Sequence, residues 1–278
     1  MNKALRPGIV LRNIAVLVLS LIWLAPTYLI LVNAMQPVAD AGNGPAWFPS
    51  GFAFFENLAA VWETSPFAET MLNSLMYAVG GAGLAVLFAT ISAFGVVVMP
   101  VKRPKVWFWL IYSGTLLPLQ VFAFPLYRAA ATEGIDLYDT KWILIIVYTA
   151  LCIPFAFFVT RNFMVTLPPE VAQAAKLDGA GWWRMLFSIY LPLVRPAMVA
   201  GFVFQFIYIW NELFFGISLT ISPENSPVMA SVAALSGQGA VAQTPQIMAV
   251  SLVASLPAVA MFLIFQRYFT TGLTSNLG

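Results

Sequence analysis

Long apolar runs separated by shorter polar segments dominate this chain. Six of them, at 14–35, 70–99, 106–126, 142–160, 195–216 and 245–268, are long enough as helices to cross a hydrocarbon core of about 30 Å with some tilt. The first is too long for the apolar region of a signal peptide and has no small-residue cleavage site before Gln36, so it reads as a retained helix bent at Pro26. Gly80, Gly81, Gly83 and Ala85 mark the second as a closely packing helix. Pro118 and Pro125 are expected to kink the third. The pattern predicts an all-α integral membrane protein of six transmembrane helices in a single domain over 1–278.

The longest polar-bearing interruption in the second half runs from Glu170 to Pro196. Glu170 to Leu177 favours helix through Ala172, Ala174 and Ala175. Asp178-Gly179 should stop it, with Gly in the left-handed position and Asp free to cap the next helix. Trp182 to Tyr190 resumes a helical pattern, and Pro192 and Pro196 should bend the chain into the fifth run.

Composition agrees with a lipid environment: 61% of residues are hydrophobic and 9% charged, against about 25% charged in soluble domains. The placement of charge says more than its sum. If the termini share one side, Lys3, Arg6, Arg12, Lys102, Arg103, Lys105, Arg161, Lys176, Arg184, Arg195 and Arg267 fall on that side, and only Arg128 and Lys141 oppose them. By the positive-inside rule both termini and the Glu170–Pro196 loop are expected in the cytoplasm. Trp23, Trp107, Trp109 and Trp142 suit the membrane interface or the lipid-facing surface.

Within that loop, QAAKLDGAGWWRMLFSIYLPLVRP resembles the EAA loop of ABC-transporter permeases through Ala174, Ala175, Asp178, Gly179, Ala180, Phe187, Ile189, Leu191, Pro192 and Pro196. Gln173 stands where the family usually has Glu, which removes a charge able to pair with a basic residue of the ATPase. Further similarity lies in Asn73-Ser74-Leu75, Leu117-Pro118, Pro125-Leu126-Tyr127, Arg161-Asn162-Phe163, Leu167-Pro168, Trp210-Asn211, Gln266-Arg267-Tyr268-Phe269 and Gly272-Leu273. Together these look like the carbohydrate-uptake branch, the maltose-type second permease, although the tail ends Ser275-Asn276-Leu277-Gly278 without the usual Lys. The resemblance implies a type I importer permease fold and a cytoplasmic coupling helix built from Glu170, Gln173, Ala174, Ala175, Asp178, Gly179 and Ala180. Small Ala174, Ala175 and Ala180 would let that helix sit deep in a groove of the ATPase. The implied partners are a second permease, an ATPase dimer that carries ATP and Mg, and an extracytoplasmic binding protein that delivers a sugar. The loop from Ser222 to Gln246, with Gly237-Gln238-Gly239, resembles the one that reaches into the docked binding protein.

The chain has no His and no Gly-rich loop ending in Gly-Lys-Ser or Gly-Lys-Thr, so it offers no His-based metal site and no such route to ATP hydrolysis. No catalytic residue, metal cluster, bound cofactor or nucleic-acid patch is expected. Its one cysteine, Cys152, lies in an apolar run and reads as a small buried residue. Polar groups inside spans are costly and therefore informative. Gln205, Tyr208 and Glu212 fall at i, i+3 and i+7 with Asn211 beside them, and Gln120 lies between Pro118 and Pro125. Amides, a phenol and a carboxylate near aromatic rings suit a sugar's hydroxyls and ring faces, and a substrate path is expected there. Packing between helices or against a partner is the other reading of each. A di- or oligosaccharide is the first substrate class. A glycerol phosphodiester or polyol is the alternative, and an ion-coupled secondary transporter or a purely structural subunit remains a separate class.

Overall fold

In the computed structural model, which describes residues 7–132, 135–237 and 244–274, every regular element is helical. The helices are α1 (Pro7–Ala34), α2 (Phe54–Thr64), α3 (Phe67–Val97), α4 (Pro104–Tyr112), α5 (Gln120–Ala130), α6 (Lys141–Val165), α7 (Glu170–Leu177), α8 (Trp182–Arg184), α9 (Leu191–Trp210), α10 (Phe214–Leu219), α11 (Val228–Gly237) and α12 (Thr244–Thr274). Five helical runs are long and apolar enough to cross a membrane: Gly8–Ala34, Phe67–Val97, Lys141–Val165, Trp182–Trp210 and Thr244–Gln266. The broken pair Pro104–Leu116 and Gln120–Ala130, bent by 94°, is apolar enough to make a sixth if the two halves are counted as one span.

The break has a local cause. Leu117, the residue before Pro118, is forced into extended backbone (φ −83°, ψ 130°) and cannot continue a helix. Pro125, expected to kink the same run, sits inside α5 without interrupting it. The fifth run also departs from expectation. It starts at Trp182 rather than 195, and neither Pro192 nor Pro196 breaks it. Pro192 cannot donate to the carbonyl four residues back. The π-helical stretch Met185–Tyr190 that precedes it absorbs that mismatch by wider spacing. The run ends at Trp210, not 216, and α10 is a separate short helix.

The chain divides into two compact units. One holds the chain up to Phe67 together with Val232–Ser255. Here Asn57 of α2, almost fully buried, donates its Nδ2 to the Ala34 and Gln36 carbonyls at the end of α1, at 3.0 and 2.8 Å. The Ala34 carbonyl is one that a helix C-terminus leaves without a partner. The sequence pattern suggests only a polar connection there, and α2 is an addition to it.

The other unit comprises Ala68–Ser231 and Leu256–Gly278, and α6 packed on α9 forms its centre. Gly81 is where α3 crosses them: a Cβ there would lie 3.0 Å from Ile209 Cδ1 and 3.1 Å from Tyr148 Cβ. The neighbouring expectations do not share this role, since Gly83 has open space and Gly80 meets Ile145 only at 4.0 Å. A buried cluster of Ala89, Ala93 and Phe94 from α3, Phe157 and Met164 from α6, and Met185, Leu186 and Tyr190 supports the α7–α8 segment.

Candidate coupling and translocation sites

The segment 170–182 folds as a helix closed by a Schellman motif. The Gly179 N–H donates to the Lys176 carbonyl (3.0 Å) and the Ala180 N–H to the Ala175 carbonyl (2.9 Å), with Gly179 at φ +71°. Asp178 occupies the C-cap of α7, and the next helix is preceded by Gly181 with no side-chain cap, so the expected capping role of Asp178 is not realised. The apolar contact that usually seals this motif is supplied by Ala175 and Ala180, both packed against the buried cluster.

This fixes which face of α7 is free. Glu170, Gln173, Ala174, Lys176, Leu177 and Asp178 are exposed, Leu177 at 88%. Ala175 is 5% exposed and points into its own chain's core. Its small size therefore serves internal packing, which corrects the expectation that it would seat in a partner's groove. Lys176 Nζ lies 5.3 Å over the Trp182 ring, and Trp182 meets Phe94 edge-on at 6.5 Å. Trp183 and Phe187 stack at 6.0 Å and are themselves exposed, so an apolar ledge flanks α7. The result is a short rigid helix with a fixed exit angle, held on a packed base, whose exposed tip offers Leu177 to another surface.

The polar residues of the fifth run separate into two stripes. Gln205, Ile209 and Glu212 face inward. Gln205 Nε2 donates to the Cys152 carbonyl at 3.0 Å and ties α9 to α6. Glu212 is 8% exposed; its Oε2 accepts the Tyr148 hydroxyl at 2.8 Å, and both carboxylate oxygens accept the Phe215 N–H at 3.1 Å. The Gly216 N–H adds a longer contact of 3.4 Å. Glu212 thus satisfies the first turn of α10 while pinning it to α6. Phe204, Tyr208 and Asn211 form the exposed stripe, with Asn211 Nδ2 folded back on the Ile207 carbonyl at 2.7 Å. The expected single polar face therefore splits, and Gln205 and Glu212 are internal staples. Gln120 is exposed on the first turn of α5, just past the 94° break.

Sequence reasoning passes over a clamp on the 220–228 segment. Asp139, itself at φ 57°, accepts the Ile221 and Ser222 N–H groups at 2.8 and 3.0 Å and also the Ser222 hydroxyl, while Asn225 Nδ2 donates to its carbonyl at 2.5 Å. Burial alone would raise its pKa, but these hydrogen bonds outweigh burial and hold the carboxyl below its ordinary value. From α3, Asn73 Nδ2 donates to the Glu224 and Ser226 carbonyls (2.8 and 3.3 Å) and the Tyr77 hydroxyl to the Asn225 carbonyl (2.8 Å). The Val228 N–H donates to Ser74 Oγ at 2.7 Å. Asn73 is an anchor for this strap. Of the expected binding-protein loop, Gly237 ends α11, and Gln238 and Gly239 lie outside the described residues.

Residues 85–275 match the model of a family described as binding-protein-dependent transport system inner membrane component. Over 268 residues the chain is 30% identical to the sn-glycerol-3-phosphate transport system permease protein UgpE of Yersinia enterocolitica, covering 92% of each. It is 28% identical over 253 residues to the melibiose/raffinose/stachyose import permease protein MelC of Bacillus subtilis, covering 90% of each. In fold it is similar to a chain of a bacterial ABC transporter involved in the import of the acidic polysaccharide alginate. The TM-score is 0.78 at 18% identity, over 97% of this chain and 100% of that one. A second structure, of the alginate transporter in complex with an alginate pentasaccharide-bound periplasmic protein, matches at TM-score 0.66 and 17% identity over 92% of each chain. With a family match over most of its length and the type I importer permease fold, this chain belongs to the inner-membrane components of binding-protein-dependent transport systems.

Proposed function

We propose that the chain is one of two permeases that together form the translocation path for a neutral di- or oligosaccharide, delivered by an external binding protein and driven by separate ATPase subunits. The observation that carries the substrate class is the exposed Phe204–Tyr208–Asn211 stripe, which offers an aromatic face, a phenol and an amide on a stretch with no Lys or Arg between Arg195 and Arg267. No Lys or Arg occurs between Pro196 and Gln266, nor within α3. A phosphate-bearing ligand held by this subunit would call for such a charge. Gln120, Tyr208 and Asn211 border the path in this reading, and Gln205 and Glu212 support it from behind.

The bias of cationic residues supports a cytoplasmic position for the termini and α7. There Glu170, Gln173, Ala174, Asp178 and Gly179 present or aim the surface that meets the ATPase, with Ala175 and Ala180 seating it on its own chain. The clamped strap at 220–228 leads into α11 and steadies the approach to the loop after Gly237, which contacts the binding protein. The similarity to a glycerol-3-phosphate permease favours a second reading, in which the phosphate is met by the partner permease.

Proteoliposomes holding the complex and its binding protein separate the two. Labelled oligosaccharide should be taken up, should stop when ATP is withdrawn, and should continue when ion gradients are collapsed. Uptake of sn-glycerol 3-phosphate alone would establish the second reading. Uptake that follows an ion gradient without ATP would overturn both.

A further inference from the structure

We infer that α2 and the loop before it form a membrane-interface anchor, with an aromatic stripe seated in the lipid headgroup region at the Ala34 end of α1. Three stripes run along α2. Ala53, Asn57 and Val61 are buried, and Ala53 and Asn57 fasten the helix to the end of α1. Phe55, Ala59 and Trp62, spaced i, i+4 and i+7, are exposed together, Phe55 at 68% and Trp62 at 52%. Glu56 and Glu63 are exposed one position further round. A helix with a docked stripe, an aromatic stripe and an acidic stripe meets three environments: protein, lipid boundary and water.

Chain geometry sets its depth. The first turn of α2 is fastened to the end of α1: the Ala53 N–H donates to the Met35 carbonyl at 2.9 Å, and Asn57 holds the Ala34 carbonyl. Its last residue, Thr64, is followed after two residues by the membrane-crossing helix α3. Both ends of α2 are thus tied to span termini at one membrane surface, so the helix must run along that surface. The preceding loop folds back beside α1. The Tyr28 hydroxyl donates to the Trp47 carbonyl at 2.8 Å, and Asn33 exchanges hydrogen bonds with Ala46 at 3.0 and 3.1 Å. Tyr28 lies six residues, about 9 Å, before the end of α1. Trp47 and Phe48, 63% and 78% exposed, are therefore held at the level of the last turns of α1, an apolar run left exposed by its own chain. Exposed aromatics at this depth match the preference of Trp and Phe for the interface, and they continue the exposed apolar surface of α1.

Spin-label accessibility tests the assignment. The full chain carrying Cys152→Ser, purified with its co-assembling subunits in lipid nanodiscs, would bear single nitroxides at Phe55→Cys, Ala59→Cys, Trp62→Cys, Glu56→Cys and Glu63→Cys. The ratio of oxygen to water-soluble nickel collisions should be several-fold higher at 55, 59 and 62 than at 56 and 63. Ala59→Cys is mild enough to preserve the comparison if an aromatic replacement disturbs folding. Equal ratios on the two stripes would overturn the proposal. So would exclusion of both reagents from 55, 59 and 62, which would show a protein partner covering the stripe.

Discussion

Replacing Gly179 by Val is expected to yield an assembled transporter whose ATP hydrolysis no longer rises with loaded binding protein. Space is not the reason, because a Cβ at Gly179 would meet nothing within 4 Å. The reason is φ +71°, where a β-branched side chain collides with its own backbone. The left-handed region costs an ordinary L-residue about 1–2 kcal/mol. That is enough to lower the population of the Schellman turn by roughly five- to thirtyfold. Losing the turn releases the Gly179 and Ala180 N–H bonds and lets α7 leave its base, so the helix no longer transmits motion along one axis. Gly179→Asn is the control, since Asn enters this region readily; it should keep most of the stimulation. Equal loss in both variants would mean that something other than backbone conformation matters at this position.

The second large effect is expected at Glu212. Glu212→Ala strands the Tyr148 hydroxyl and the Phe215 N–H in a buried site. At about 1–3 kcal/mol for each unpaired buried group, the loss is roughly 2–6 kcal/mol. In a helical unit of this size that lowers the melting temperature by about 4–24 °C. Tyr148→Phe removes one partner only and should cost less. In the double variant Tyr148→Phe/Glu212→Ala the penalties should fall short of their sum, as expected for one network. Thermal unfolding of the purified chain, beside transport kinetics per assembled complex, separates this staple from a substrate contact. An unchanged melting temperature with a raised KM would return Glu212 to the path.

The contrast between these two positions shows what a sequence can reveal about such a protein. Membrane-crossing helices are legible because lipid demands long apolar runs, and Gly179 is legible because a glycine after a short helix has one common use. Glu212 is not, because its satisfaction depends on Tyr148, 64 residues away, and a buried acid looks the same on paper whether it faces a helix or a cavity. Ala175 is ambiguous for a related reason: smallness suits a partner's groove and its own core equally. The start of the fifth run is hidden by Pro192 and Pro196, whose effect the π-helical turn cancels. The α2 helix is hard to see because its docked stripe contains Asn57, which breaks the apolar period that would have marked it.

The central claim is that the exposed tip of α7 meets the ATPase in the cytoplasm. A photo-crosslinking residue placed at Leu177, 88% exposed at the end of that helix, tests it most directly in the assembled complex in native membranes. The expected result is an adduct with the ATPase subunit that is absent when the ATPase is not expressed. An intact complex that gives no such adduct, or in which position 177 crosslinks to the external binding protein, would contradict it.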